Sequence, residues 1–183
     1  MRERPLLFID LEMTGLDSRV HEIVEVAALV VRQSDFAILN SYYTKVIAEH
    51  PETAHPESIK IINYSPAAWK DAVPLKQVLL ELSALAPDCI LAGWSVQNEW
   101  DFLVAALDKY HLPYFFDYHL LEVWALAYSR LRLHPGVKKL DIQETCNIFD
   151  IAVERHKPDS DIRATYEIFI KLVGDGNNKN SAD

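Results

Sequence analysis

Asp10 and Glu12 stand two positions apart at the end of the apolar run Leu6-Leu7-Phe8-Ile9. If that run is a strand, its period of two sets both carboxylates on one face. Side by side they repel unless a positive charge lies between them. A hard divalent cation with oxygen ligands meets that need, and the Met13-Thr14-Gly15 turn that follows leaves room for a ligand to approach the backbone. The plainer alternative is a strand that ends and turns polar. A second group, His156-Lys157-Pro158-Asp159-Ser160-Asp161, precedes the apolar pattern Ile162, Tyr166, Phe169 and Val173. Pro158 disfavours helix at Lys157, so His156 belongs to a loop and Asp161 to a first helical turn. A histidine beside a metal is a suitable general base. Taken alone, Asp159 or Asp161 serves equally well as a helix cap or dipole partner, and His156 as a surface residue.

The elements that must position these residues are legible as alternating patterns. Leu6–Leu11 and the Val- and Ile-rich run Ile23–Val31 read as two buried strands separated by the turn Gly15-Leu16-Asp17-Ser18-Arg19-Val20. Residues 36–47 alternate as a half-exposed third strand, joined through a short turn at Gln33–Asp35. Pro51, Pro56 and Pro66 mark a loop with short helical pieces at most. Val78, Leu79, Leu82 and Leu85 recur at helical spacing between Pro74 and Pro87. A short buried strand, Cys89–Ala92, leads to a helix over Glu99–Tyr110, then a fifth strand at Tyr114–Phe116 and a helix over Leu120–Leu131. Two more helices follow, Leu140–Phe149 and Asp159–Val173. Three antiparallel strands followed by strand–helix units predict an α/β fold: a mixed five-stranded sheet, antiparallel and then parallel, flanked by helices, which matches the ribonuclease-H-like arrangement.

The chain has 183 residues, half of them hydrophobic, which suits one domain, expected over residues 2–174, and a polar tail, 175–183, expected to be disordered. A net charge of −9 argues against coating long nucleic acid through counterion release, but leaves a short, locally held substrate open. Cys89 and Cys146 form no metal or disulfide pattern, and the apolar run before Asp10 is too short for a signal core or membrane span. A cytoplasmic protein without membrane attachment is expected. Oligomeric state is not legible, and a homodimer is neither required nor excluded.

Together, Phe8-Ile9-Asp10-Leu11-Glu12-Met13-Thr14-Gly15-Leu16-Asp17, then His21-Glu22-Ile23-Val24-Glu25-Val26-Ala27, and finally His156 with Asp161, resemble the motifs of the DEDDh exonucleases, the group of oligoribonuclease and the polymerase III proofreading subunit. The resemblance implies a 3′-to-5′ exonuclease in which Asp10, Glu12, a middle-motif acid and Asp161 hold two Mg²⁺ or Mn²⁺ ions and His156 takes a proton from water. It also implies that the backbone near Met13 and Thr14 receives the terminal 3′-hydroxyl, with Met13 against a base. The substrate so implied is short or single-stranded DNA or RNA, released as nucleoside 5′-monophosphates. The middle motif departs from the family. In the register of Gly93-Trp94-Ser95-Val96-Gln97-Asn98-Glu99-Trp100-Asp101-Phe102-Leu103, the family's aspartate is replaced by Glu99, with Asp101 as competitor about 200° away around a helix. That departure keeps a second reading open, a catalytically weak member that binds nucleic acid or a partner. Glu25, as an acid supporting the centre or part of an exposed face, and the cations Lys138, Lys139, Arg155, Lys157 and Arg163, as a basic rim or a solvated surface, are further candidates.

Overall fold

The computed structural model describes residues 4–177. Five strands form one sheet in the order β3-β2-β1-β4-β5. They are β1 (Leu6–Met13), β2 (Ile23–Val31), β3 (Ile38–Lys45), β4 (Cys89–Gly93) and β5 (Phe116–Glu122). The pairs β1–β2 and β2–β3 are antiparallel, whereas β1–β4 and β4–β5 are parallel. The expected mixed sheet is present.

β1 is central and covered on both faces. Leu7, Ile9 and Leu11 enter a core with α2 (Leu75–Leu85) and α3 (Gln97–Lys109), while Leu6 and Phe8 face a second core built with α4 (Val123–Leu131), α5 (Ile142–Phe149) and α6 (Pro158–Asn177). Asp10 and Glu12 continue the Leu6–Phe8 series, so the period-two argument sends them to the side that α6 covers. On α6, Asp161, Thr165, Ile168 and Leu172 are all buried at helical spacing. Asp161 is thus the polar N-terminal end of an otherwise mostly apolar stripe, and the packing of that stripe on β1 and β2 aims it at the carboxylates of β1.

Several boundaries differ from the sequence expectation. The fifth strand is Phe116–Glu122, not Tyr114–Phe116, and α4 consequently starts at Val123, three residues after the expected Leu120. β5 is an edge strand whose pattern is mostly half-exposed, so it carries no alternation to read, and pairing with β4 decides its state. β3 exposes most of both faces, with Ile38 and Leu39 open to solvent, because it is the other edge. α6 continues past Val173 to Asn177; the remaining tail positions, 178–183, lie outside the described residues. The proline-rich stretch holds a 3-10 turn, Pro51–Thr53, and the short helix α1, Pro56–Ile61. Among the described residues, no helix is long and apolar enough to cross a membrane.

Candidate active site

Oxygen atoms of Asp10, Glu12 and Asp161 lie within 4.8 Å of one another. Burial, reinforced by Glu99, Asp161 and Glu12, raises Asp10 well above the usual carboxylate range, with Arg155 opposing. Glu12 is pushed up to about 7, first by burial and then by Asp161 and Glu25, again against Arg155. The sequence alternative of a strand that merely turns polar does not account for three acids gathered from two elements at such cost. Among the described residues, this is the grouping whose donor set suits a metal ion. All-carboxylate ligation favours a hard cation such as Mg²⁺ or Mn²⁺ over a thiophilic one.

Glu99 supplies a fourth acid from the first turn of α3. It is 6 % exposed, and its Oε2 is, among the described residues, the buried side-chain polar atom that has no hydrogen-bond partner. Such an atom normally costs stability unless something absent from the protein satisfies it. Its pKa is pushed up to about 8, mainly by burial and then by Glu122 and Glu12. Asp101 points elsewhere. It is exposed and accepts a hydrogen bond from Gln97 Nε2 at 2.9 Å. Of the two register choices, Glu99 is the one buried within electrostatic reach of Asp10 and Glu12.

Glu122 was not visible from the sequence, because the helix start at Leu120 placed it inside an amphipathic run. It is in fact the N-cap of α4, accepting from the Trp124 amide, and it also accepts from the amides of Ser95 and Val96 at 2.9 and 3.0 Å. Ser95 has a φ of 62°, so the turn from β4 into α3 is a left-handed one that Glu122 clamps. This sets the start of α3 and hence Glu99. Glu25, opposite Glu12 in the sheet register, is buried and accepts the Tyr43 hydroxyl, which makes it a neighbour of the cluster, not part of an exposed face.

Asp161 accepts from the His156 amide at 2.8 Å and from Arg155 Nη1 at 2.5 Å. Both donors lie on the loop before α6, where His156 adopts a φ of 62° and its imidazole is exposed. The backbone of His156 is therefore fixed beside the carboxylates while its ring remains free to turn. Thr14 is fully engaged. Its amide and hydroxyl bond Glu22, its carbonyl takes the His55 amide, and its side chain is buried. Gly15 has no room for a side chain, since a Cβ would come within 2.3 Å of the His21 ring. Met13 is half-buried against the α2–α3 core, where β1 shifts register against β2. Trp100 packs on Phe116 at 4.9 Å, and Trp94 is partly buried against the second core, so both serve packing. Of the basic group, Arg155 alone is seen to pair with the centre; Lys157 pairs with Glu154.

The family model described as RNase_T, an exonuclease, matches residues 7–169. The DNA polymerase III subunit epsilon of Aquifex aeolicus is 29% identical over 167 residues, covering 90% of this chain and 78% of the relative. The oligoribonuclease of Vibrio cholerae is 28% identical over 151 residues, covering 75% of this chain and 81% of the relative. The PolC-type polymerase III of Streptococcus pneumoniae is 26% identical, and the chain spans only 12% of its length. In structure, the nuclease domain of 3′hExo, a DEDDh family member bound to rAMP, superposes with a TM-score of 0.75 at 15% identity, over 95% of this chain and 94% of that one.

Proposed function

The chain belongs to the RNase_T exonuclease family, and on that premise we propose that it is a 3′-to-5′ exonuclease of the DEDDh type that removes nucleoside 5′-monophosphates from short or single-stranded oligonucleotides, using Asp10, Glu12, Glu99 and Asp161 as metal ligands and His156 as general base. The observation that carries this reading is the buried Oε2 of Glu99, left without a partner beside three converging carboxylates. When bound there, two Mg²⁺ or Mn²⁺ ions would supply an acidified water and charge stabilisation for the departing 3′-oxygen. The protein's own part is to hold four acids against their mutual repulsion and to keep an imidazole at the rim. Thr14 knots the β1 turn to Glu22 and His55, which fixes the shelf on which Met13 would meet a terminal nucleotide.

Relatives acting in polymerase III and as oligoribonuclease leave the sugar and length of the substrate open, while the net charge of −9 favours the shorter one. The deciding experiment incubates 5′-labelled RNA and DNA oligonucleotides of several lengths with Mg²⁺, Mn²⁺ or EDTA. A ladder shortening from the 3′ end, dependent on metal, is expected. A clean preparation that binds these oligonucleotides yet leaves them intact with either metal would return the chain to the binding-module reading.

His156→Ala should slow hydrolysis by about 10²- to 10⁴-fold, the usual worth of a general base, without changing the metal-induced rise in melting temperature. Equal rates in variant and wild type would assign His156 to the solvated surface.

The raised carboxyls also set a pH dependence. Between about pH 4.5 and 8, the folded protein retains protons on Glu12 and Glu99 that the unfolded chain has released. Stability therefore falls as pH rises through that window when metal is absent. Metal binding must expel those protons, so affinity climbs over the same range. Melting in EDTA and Mn²⁺ titration at pH 5.5 and 8.5 check both signs; a metal affinity independent of pH would exclude these acids as ligands.

A further inference from the structure

Both oxygens of Asp161 are engaged by the loop that precedes α6, Oδ1 with Arg155 Nη1 at 2.5 Å and Oδ2 with the His156 amide at 2.8 Å. The two donors differ in kind. The amide is fixed by the backbone. The guanidinium sits on a flexible side chain that is 34% exposed, against 6% for the carboxylate it meets, so it has a way out into solvent. Its charge also opposes the upward shifts of both Asp10 and Glu12. One permanent cation thus faces all three carboxylates of the cluster.

We infer that Arg155 is a displaceable counter-ion of the carboxylate centre: its guanidinium balances Asp161 until a divalent cation takes over that charge, and it then withdraws toward the cleft lined by Glu25, Tyr43, Lys45, His156 and Asp159. This inference rests on the reading of the centre as a metal site. A guanidinium and a metal ion compete for the same negative charge, so without metal the ion pair offsets the mutual repulsion of the carboxylates, and it weakens metal affinity in return. A residue that only positioned Asp161 would do the opposite, because losing it would loosen the ligand and weaken metal binding. The amide of His156 keeps its hold on Oδ2 through the exchange, so the loop stays anchored while the neighbouring side chain leaves.

The test is calorimetric titration of Mn²⁺ into the wild type and into Arg155→Met, Arg155→Gln and Arg155→Lys, with melting curves in EDTA and at saturating Mn²⁺. Arg155→Met should bind Mn²⁺ about two- to fivefold more tightly than the wild type, the scale of one partly exposed ion pair. It should also melt lower in EDTA, with the gap closing at saturating metal. Arg155→Lys, which keeps the charge, should stay near the wild type. Should Arg155→Met fail to fold without metal, Arg155→Gln, which retains a donor for Asp161 but no charge, carries the same expectation. Mn²⁺ binding unchanged or weakened in the neutral variants overturns the counter-ion role and leaves Arg155 as a positioning residue. Absence of Mn²⁺ binding in the wild type would instead overturn the metal reading itself.

Discussion

Asp10→Ala is expected to abolish hydrolysis while leaving the metal-free protein no less stable than the wild type. Asp10 is held well above the usual carboxylate range by burial and by Glu99, Asp161 and Glu12. Ionising it without metal works against the fold, so its removal relieves a cost. Its loss would also take one of the three convergent ligands, and no other described group on β1 shares its position between Glu12 and the α6 terminus. Asp161→Ala should be equally inactive but differ in stability. That change strips the His156 amide and the Arg155 guanidinium of their shared acceptor, so the loop before α6 loses its tie to the helix and the metal-free variant should melt below Asp10→Ala. The pair is read by turnover with Mn²⁺ and by melting in EDTA. Substantial turnover in both variants with metal present would sink the proposed centre.

The contrast between those two acids shows what a sequence can reveal of such a site. Asp10 and Glu12 were legible because they interrupt an apolar strand, and period two needs no tertiary knowledge to put them on one face. Asp161 was legible in its place along the chain, since Pro158 fixes the start of the helix, but its inward side was not, because the apolar series expected at Ile162, Tyr166, Phe169 and Val173 runs one position away from the buried series of Asp161, Thr165, Ile168 and Leu172. Its bond to Arg155 was not, because that contact depends on a left-handed residue at position 156 that no local pattern announces. The edge strands show the same limit in the fold. β2 is buried along its whole length and reads as one apolar run, whereas β5 is half-exposed and takes its register from β4. Misplacing β5 hid Glu122, whose cap on α4 and clamp on Ser95 are evident only once the strand is known to end there.

Glu99→Ala should bring turnover to background, whereas Asp101→Ala should stay close to the wild type. The two residues share a helix and are two positions apart, but the packing of Phe102, Leu103, Ala106 and Leu107 turns position 99 inward and position 101 to solvent. Glu99 pays for that burial with an unpartnered oxygen and a pKa pushed up to about 8, so near neutral pH without metal it is largely protonated and contributes little charge. It can act as a ligand only by ionising, and Mn²⁺ should draw its titration to lower pH. Glu99→Gln isolates this point, because it keeps the shape and cannot ionise. The variant should match or exceed the wild type in stability in EDTA at pH 8.5, where the glutamate must begin to ionise, and should lose most of its metal-induced stabilisation. Glu99→Asp tests distance. α3 is set by the Glu122 clamp on Ser95 and Val96 and cannot easily move closer, so the shorter side chain should lower activity, even though it restores the acid usual for the family. Loosening the clamp with Glu122→Ala should then partly compensate the shorter side chain if reach is the limit. An inactive Asp101→Ala beside a fully active Glu99→Ala would place the middle acid on the other face of α3 and undo this assignment.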